Sequence, residues 1–284
     1  MSNRKSLLQK ALRAAMCVRN QTRKDILQPI CVYDVAAELG IEVRFLSVPT
    51  LEGMYSASPR PTIIIGAQRP AGRRTYTCAH ELGHHMFSHG TKLDLLADKG
   101  SCPEFEEEEF LAQAFAGFLL MPKLAVLRAF TARGLRPETA TPSEFFRIAR
   151  FFGVGYSSLV HHLQTIALIN VGRADTLRRA NLATIRQELL PGVAAKSILP
   201  VDTAWAGRAV DTEIGEFLVT EKNMIVEGNN LLQISHARGG LFQAVKPGCC
   251  RLFEADGPWA AYIRVSRQGY EGRSLWRHLE EEEE

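Results

Sequence analysis

The sequence predicts an α+β protein in which helices dominate the first two thirds and short strands the last third. Three observations carry that expectation. Apolar residues recur at helical spacing through 5–18, 73–89, 104–120 and 141–168. Short β-branched or aromatic runs stand at 43–46 and 62–65, and more densely after residue 198. The chain has 284 residues, of which 46% are hydrophobic and 23% charged, a profile that can bury a core without disulfides.

Each element has its own signal. The first helix covers 5–18 and a second covers 32–39, stopped by Gly40. Strands follow at 43–46 and 62–65. The 73–89 segment fits a helix, and so does 104–120, which Met121-Pro122 closes because proline disfavours helical geometry in the residue before it. Helix 123–133 ends at Gly134. Thr141-Pro-Ser-Glu opens another with a serine cap, running to Phe152 and broken by Gly153. Residues 156–168 and 176–190 are the last helical stretches.

After Pro191-Gly192 the pattern changes to strands at 216–220, 231–235, 241–245 and 260–265, separated by clusters such as Glu227-Gly-Asn-Asn. The expected organisation is a unit over 1–170, a helical connection over 171–195, a β-rich sensor or recognition domain over 196–279, and an acidic disordered tail over 280–284.

Charge and cysteine usage exclude several classes. A net charge of +3 gives no support to a nucleic-acid coat or a membrane-surface protein. Cys17, Cys31, Cys78, Cys102, Cys249 and Cys250 form no C-x-x-C pair, so free thiols in the cytoplasm are expected. The N-terminus lacks the apolar core of a signal peptide, and the 110–121 stretch is too short to span a bilayer.

The run that carries chemistry is Thr77-Cys-Ala-His80-Glu81-Leu-Gly-His84-His85-Met-Phe-Ser-His89. On a helix, His80 and His84 stack on one face and can grip one ion. Imidazole suits zinc, and Glu81 is placed to act as general base toward the attacking water. Phe87 and Gly90 stand where a metzincin would have its glycine and third histidine, which excludes that subclass. His85 and His89 face the other side of such a helix. The third ligand should come from another element, and 104–120 offers Glu104, Glu106, Glu107, Glu108 and Glu109. Glu109 is distinguished by Ala112 and Ala116 on its face, which permit close helix approach, and by Gln113, which could hold a ligand histidine from the second layer. Spacing alone leaves the choice among the five glutamates open.

At these residues the chain resembles a known family. His80-Glu-Leu-Gly-His84, preceded by Arg74 and Ala79, looks like the zinc motif of the ImmA/IrrE metallopeptidases. The Glu109-to-Pro122 segment is similar to that family's second signature, in which the leading glutamate is the third ligand. The resemblance covers roughly residues 5–170 and implies a strand ending near Gly53 ahead of the zinc helix. It implies a zincin-like, gluzincin-type peptidase domain with a helix-turn-helix-like extension, Zn2+ held by His80, His84 and Glu109, and Glu81 as base. Gln113 departs from the family's usual asparagine, which puts its second-layer contact in doubt. Relatives of this kind are implied to cleave a helix-turn-helix repressor and so release a stress, mobile-element or phage programme.

Other readings start from specific residues. A regulator that binds a repressor without cutting it would keep the motif but not need Glu81. Residues 145–168 could be a DNA-binding helix-turn-helix, whose second helix carries the polar residues Tyr156, Ser157, Ser158, His161, His162 and Gln164. That helix brings no Arg or Lys to phosphates, so a scaffold role is preferred. Tyr55 and Tyr76 are candidate oxyanion donors. Residues 62–65 are either the edge strand for an extended substrate or an interior strand. Trp205, Trp259 and Trp276 could line a pocket, and Cys249-Cys250, placed in a Pro-Gly turn, could serve redox chemistry.

Overall fold

A computed structural model describes residues 2–95, 106–235 and 239–279. Glu104, Cys102 and the 280–284 tail lie outside those residues. Helices α1 (Ser2–Gln21) and α2 (Val32–Glu38) come first. Strands β1 (Glu42–Leu46), β2 (Leu51–Ser56) and β3 (Thr62–Gly66) follow. Then come α3 (Ala71–Met86), β4 (Lys92–Leu95), α4 (Glu107–Leu120) and α5 (Lys123–Thr131). Helices α6 (Pro142–Phe151), α7 (Tyr156–Thr165), α8 (Val171–Arg178) and α9 (Leu182–Leu189) complete the helical part.

The β-rich part holds β5 (Ile198–Val201), β6 (Ala209–Glu213), β7 (Phe217–Thr220), β8 (Ile225–Glu227) and β9 (Leu231–Ser235). It ends with β10 (Gly240–Ala244), β11 (Gly248–Phe253), β12 (Ala260–Ser266) and β13 (Gly272–Arg273). The mixed α+β class follows from this order. Among the described residues no single helix is long and apolar enough to cross a membrane.

The first sheet runs β13-β1-β3-β2-β4. Strand β3 pairs parallel with β1 and antiparallel with β2, so residues 62–65 form an interior strand and do not offer an edge. The strand expected near Gly53 continues to Ser56, with the glycine inside it. Two four-stranded sheets, β5-β7-β10-β9 and β6-β12-β11-β8, make up the C-terminal part. Its parallel pairs, β5 with β7 and β6 with β12, join strands distant in sequence. The boundary near residue 195 separates helical from strand-rich sequence. One continuous apolar cluster, from Leu7 to Val265, nevertheless runs through both, and β13 returns to pair with β1.

Helix α4 lies in the middle of the helical part, packed on α1 and α3. Arg19, fully buried in α1, donates to the carbonyls of Leu119 at 2.8 Å and Leu120 at 3.5 Å, as well as to Asp25 and Gln28. It thereby satisfies C-terminal carbonyls that helix geometry leaves without partners. Helix α6 is capped by Thr141 and not by Ser143. The Thr141 side chain accepts from the Glu144 N–H, and the Glu144 carboxylate accepts from the Thr141 N–H at 2.6 Å. The single helix expected over 176–190 is two, because Asn170 and Asn181 each cap a separate start.

Helix α7 keeps Ser157 and His161 exposed but turns two of its other polar residues inward. Tyr156 is buried and donates to the Leu177 carbonyl at 2.9 Å. His162 is buried and donates through Nε2 to the Met121 carbonyl at 2.8 Å. Trp205 and Trp259 are buried, whereas Trp276 is half exposed. Cys249 and Cys250 lie on β11, not in a turn, with Cys249 exposed and Cys250 buried. Consecutive strand residues face opposite sides of the sheet.

Candidate metal centre

Helix α3 sets the first two donors. One turn apart, the His80 and His84 rings lie 4.7 Å between centroids, with their Nε2 atoms 3.0 Å apart. The helix can lie this close to α4 because Gly83 faces Ala112, where a Cβ would come within 2.9 Å of the Ala112 Cα. That contact brings the first turn of α4 to the histidines. Glu109 Oε2 is 3.2 Å from His80 Nε2, and its Oε1 is 3.4 Å from His84 Nε2. Glu107 receives a hydrogen bond from Asn3, and Glu108 pairs with Lys92.

Could a metal sit here? Zinc at about 2.0–2.1 Å from tetrahedral ligands sets donor atoms about 3.3 Å apart. The three separations match that spacing, and the ligand atoms of His80, His84 and Glu109 all lie within 4.8 Å of one another. Glu81 adds an independent sign. It is fully buried, and neither carboxylate oxygen has a hydrogen-bond partner among the described residues. Asp94 is its neighbour, a favourable one only when a proton lies between the two carboxylates.

Burial pushes the Glu81 carboxyl up to about 8; His80 opposes this while Asp94 and Glu109 add to it. Burial works against charge on His80, but hydrogen bonds to Asp94 and Glu109 prevail and raise its imidazole to about 10. Hydrogen bonds from His80 and His84 hold Glu109 far below the usual carboxylate range. Three carboxylates around two imidazoles make a site that favours a cation.

The floor of the site is β2. A Cβ on Gly53 would collide with the Glu81 carboxylate and lie 2.5 Å from Thr77 Cγ2. Only glycine lets this strand pass so near the Glu81 carboxylate.

The ends of α3 differ from expectation. The helix stops at Met86, and Ser88 (φ 57°) and Gly90 (φ 77°) turn the chain back. His89, expected on the far side, therefore returns to place its Nδ1 3.0 Å from His84 Nδ1. It takes the outer nitrogen of a candidate ligand, the contact that the sequence reading gave to Gln113. The Gln113 side chain is exposed, and its backbone carbonyl accepts from the Tyr76 hydroxyl at 3.0 Å. Tyr55 is 2.7 Å from His85 Nδ1. Both tyrosine hydroxyls thus have partners outside the metal trio.

Two contacts had no counterpart in the sequence reading, that of Asp94 and the ion pair of Arg74. Asp94, on β4, stands 3.3 Å from His80 Nε2. Arg74, in the first turns of α3, forms an ion pair with Glu213 of β6 and donates to the Ala67 carbonyl at 2.8 Å, tying the candidate metal helix to the C-terminal sheets. An open cleft runs from His80 and Glu109 past Arg73 to Gly215 and Gln268.

Comparison with known proteins supplies the lineage. Residues 36–164 match the peptidase M78 family model, described as the IrrE N-terminal-like domain. That span begins in α2, ends in α7 and contains both helices that bear the donor atoms. No curated protein matches the chain. Residues 36–164, then, form a peptidase M78 domain of the IrrE N-terminal-like kind, which supports the resemblance to the ImmA/IrrE metallopeptidases.

Proposed function

We propose that the protein is a zinc-dependent endopeptidase that cuts one intracellular protein, a helix-turn-helix transcriptional repressor, and so releases a stress, mobile-element or phage programme. The observation that carries the chemistry is the convergence of His80, His84 and Glu109 beside a buried Glu81 with no hydrogen-bond partner among the described residues. Two imidazoles and a carboxylate are a catalytic zinc donor set, which leaves one position free. When bound, the metal supplies polarisation of the scissile carbonyl and acidification of water. Glu81 takes a proton from the attacking water and delivers it to the departing amide nitrogen. His89 orients His84 through its outer nitrogen, and Gly53 leaves Glu81 room to reach the substrate.

The choice of a repressor as substrate rests on the family resemblance. The C-terminal sheets take the recognition or sensor role in this reading, because the cleft that starts at His80 extends to Gly215 and Gln268. A cytoplasmic setting accords with the free thiols of Cys17, Cys31, Cys78, Cys249 and Cys250.

The test compares new protein N-termini in host cells carrying wild type or Glu81→Gln. Removing a general base costs about 10²- to 10⁴-fold in rate, so termini present only with wild type are expected, concentrated in one DNA-binding regulator. Identical sets of termini under activating stress would leave the hydrolytic reading without support. A repressor-binding protein that does not cut would then be the better account.

A further inference from the structure

A second cavity, apart from the metal trio, lies where the helical part meets the C-terminal sheets. Its volume is about 130 Å3. Ala71 and Arg74 of α3, Phe151 and Phe152 at the end of α6, and Asp211 and Glu213 of β6 all line it. The rings of Tyr33, Phe45, Phe151, Phe152 and Trp205 form much of the wall, and each is buried. An apolar cavity of about 150 Å3 takes up benzene, so a single ring is the scale of molecule that fits.

The charges on the wall decide what kind of ring. Arg74, Arg150, Arg208 and Arg277 line the cavity with the carboxylates of Asp211 and Glu213. Arg74 pairs with Glu213, Arg150 with Glu216 at 2.6 Å, and Arg277 with Asp211 at 3.3 Å. Asp211 is also shared with Arg264 and His278. Arg208 pairs with no carboxylate among the described residues. It donates to the Gln28 side chain at 3.3 Å and to the Pro29 carbonyl at 3.0 Å, both neutral, and lies 4.8 Å over the Phe151 ring. Burial pulls its pKa down to about 10, and Arg133 adds to that. Arg74 is only 7% exposed, yet its Nε has no hydrogen-bond partner among the described residues, and the same holds for the buried Nε of Arg150. Buried donors without acceptors, beside a cation without a counter-ion, are costly unless something fills the space and accepts from them.

We propose that this cavity binds a small aromatic carboxylate, with its ring among Phe45, Phe151 and Trp205 and its carboxylate accepting from the guanidiniums of the wall, Arg208 first. Aromatic walls also suit organic cations, but here the guanidiniums repel one. The ligand touches α3 and β6 at once. Arg74 stands six residues before His80 on the same helix, so the bound acid holds the C-terminal sheets against the helix that carries the candidate metal donors.

Titration calorimetry of the full chain with benzoate tests the site, and benzylamine, a similar ring with the opposite charge, is the comparison. Benzoate is expected to bind one equivalent with a Kd of about 1 mM or tighter. At about 20 mM it should raise the melting temperature by about 3 °C or more, and benzylamine should do neither. Arg208→Gln should weaken benzoate about 10- to 100-fold, the loss of one charge-assisted hydrogen bond. Ala71→Phe, whose side chain fills the cavity, should abolish binding. Circular dichroism checks that both variants are folded. A carboxylate can also ligate zinc, so each titration is repeated after the metal is removed, and equal affinity is expected.

Benzoate binding that disappears with the metal would place the acid at the zinc and overturn the proposal. Equal binding of benzylamine, no binding of benzoate, or unchanged affinity in the folded variants would overturn it as well. If neither variant folds, the wild-type comparisons of charge and of metal content still decide.

Discussion

Gly53 does more for the site than its lack of a side chain suggests. Any Cβ there meets the Glu81 carboxylate, so Gly53→Ala should push the base or the strand aside. A displacement of about 1 Å in a catalytic group costs on the order of 10²-fold in rate. We expect peptide hydrolysis to fall by about that factor while the protein still retains one equivalent of zinc, measured by metal analysis beside the activity assay. Unchanged hydrolysis would show that β2 can yield without moving the base. At this scale the sequence was partly legible. His80 and His84 are neighbours for local reasons, since helix geometry alone stacks residues four apart. Gly53 had a readable signal, an isolated glycine in a strand pattern. Asp94 had none, because its place depends on β4 finding β2 across 35 residues of intervening chain. His89 was misplaced for a local reason: Ser88 takes a left-handed conformation that the extended helical pattern did not anticipate.

Among the elements, the contact between α4 and α7 carries a pH dependence. His162 of α7 lies against Gly117 of α4, where a Cβ would crowd the imidazole. Burial pushes His162 down to about 4, with the hydrogen bond to the Met121 carbonyl opposing that shift. In the unfolded chain the ring titrates near 6.5, so between these values the unfolded state binds the extra proton. Stability from this residue is complete above pH 6.5 and is lost as pH falls toward 4, by at most about 3 kcal/mol. Urea unfolding of wild type and His162→Gln between pH 7 and 4.5 should give a shallower slope for the variant; equal slopes would assign the dependence to other groups. The positions of α4 and α7 were readable from periodicity, and their burial on each other was not. The absence of Arg and Lys on α7 favoured a packed scaffold, and Tyr156 and His162 indeed turn polar atoms to backbone carbonyls, but which residues turn inward was not legible. The helix expected over 176–190 divided at Asn181, whose capping tendency was outweighed by apolar spacing on either side.

Across the whole molecule, the two compositional regions share structure. Arg74 pairs with Glu213, Arg264 bridges Asp34 at 3.0 Å and Asp211 at 2.7 Å, and β13 extends the sheet beneath the candidate metal helix. A chain cut after residue 195 would leave Arg74 without its carboxylate and β1 without its outer partner. We expect residues 1–195 alone to melt at least 10 °C below the full chain or to associate, since open strand edges pair with one another. Calorimetry together with size-exclusion chromatography would check this. An unchanged melting temperature and a monomeric fragment would mean that the helical region stands alone. The change in sequence character at Pro191-Gly192 was visible as a shift from helical to strand signals. The return of β13 was not, because two residues carry too little pattern to announce a strand.

That return bears on how the molecule is made. A ribosome delivers the candidate metal helix and the other four strands of its sheet long before residues 272–273, so the nascent chain must carry the outer edge of β1 open through the synthesis of about 180 further residues. Completion of the sheet is therefore a late event in the life of each copy. A chaperone that shields β1 during that interval would also delay the moment at which the peptidase acquires its finished frame.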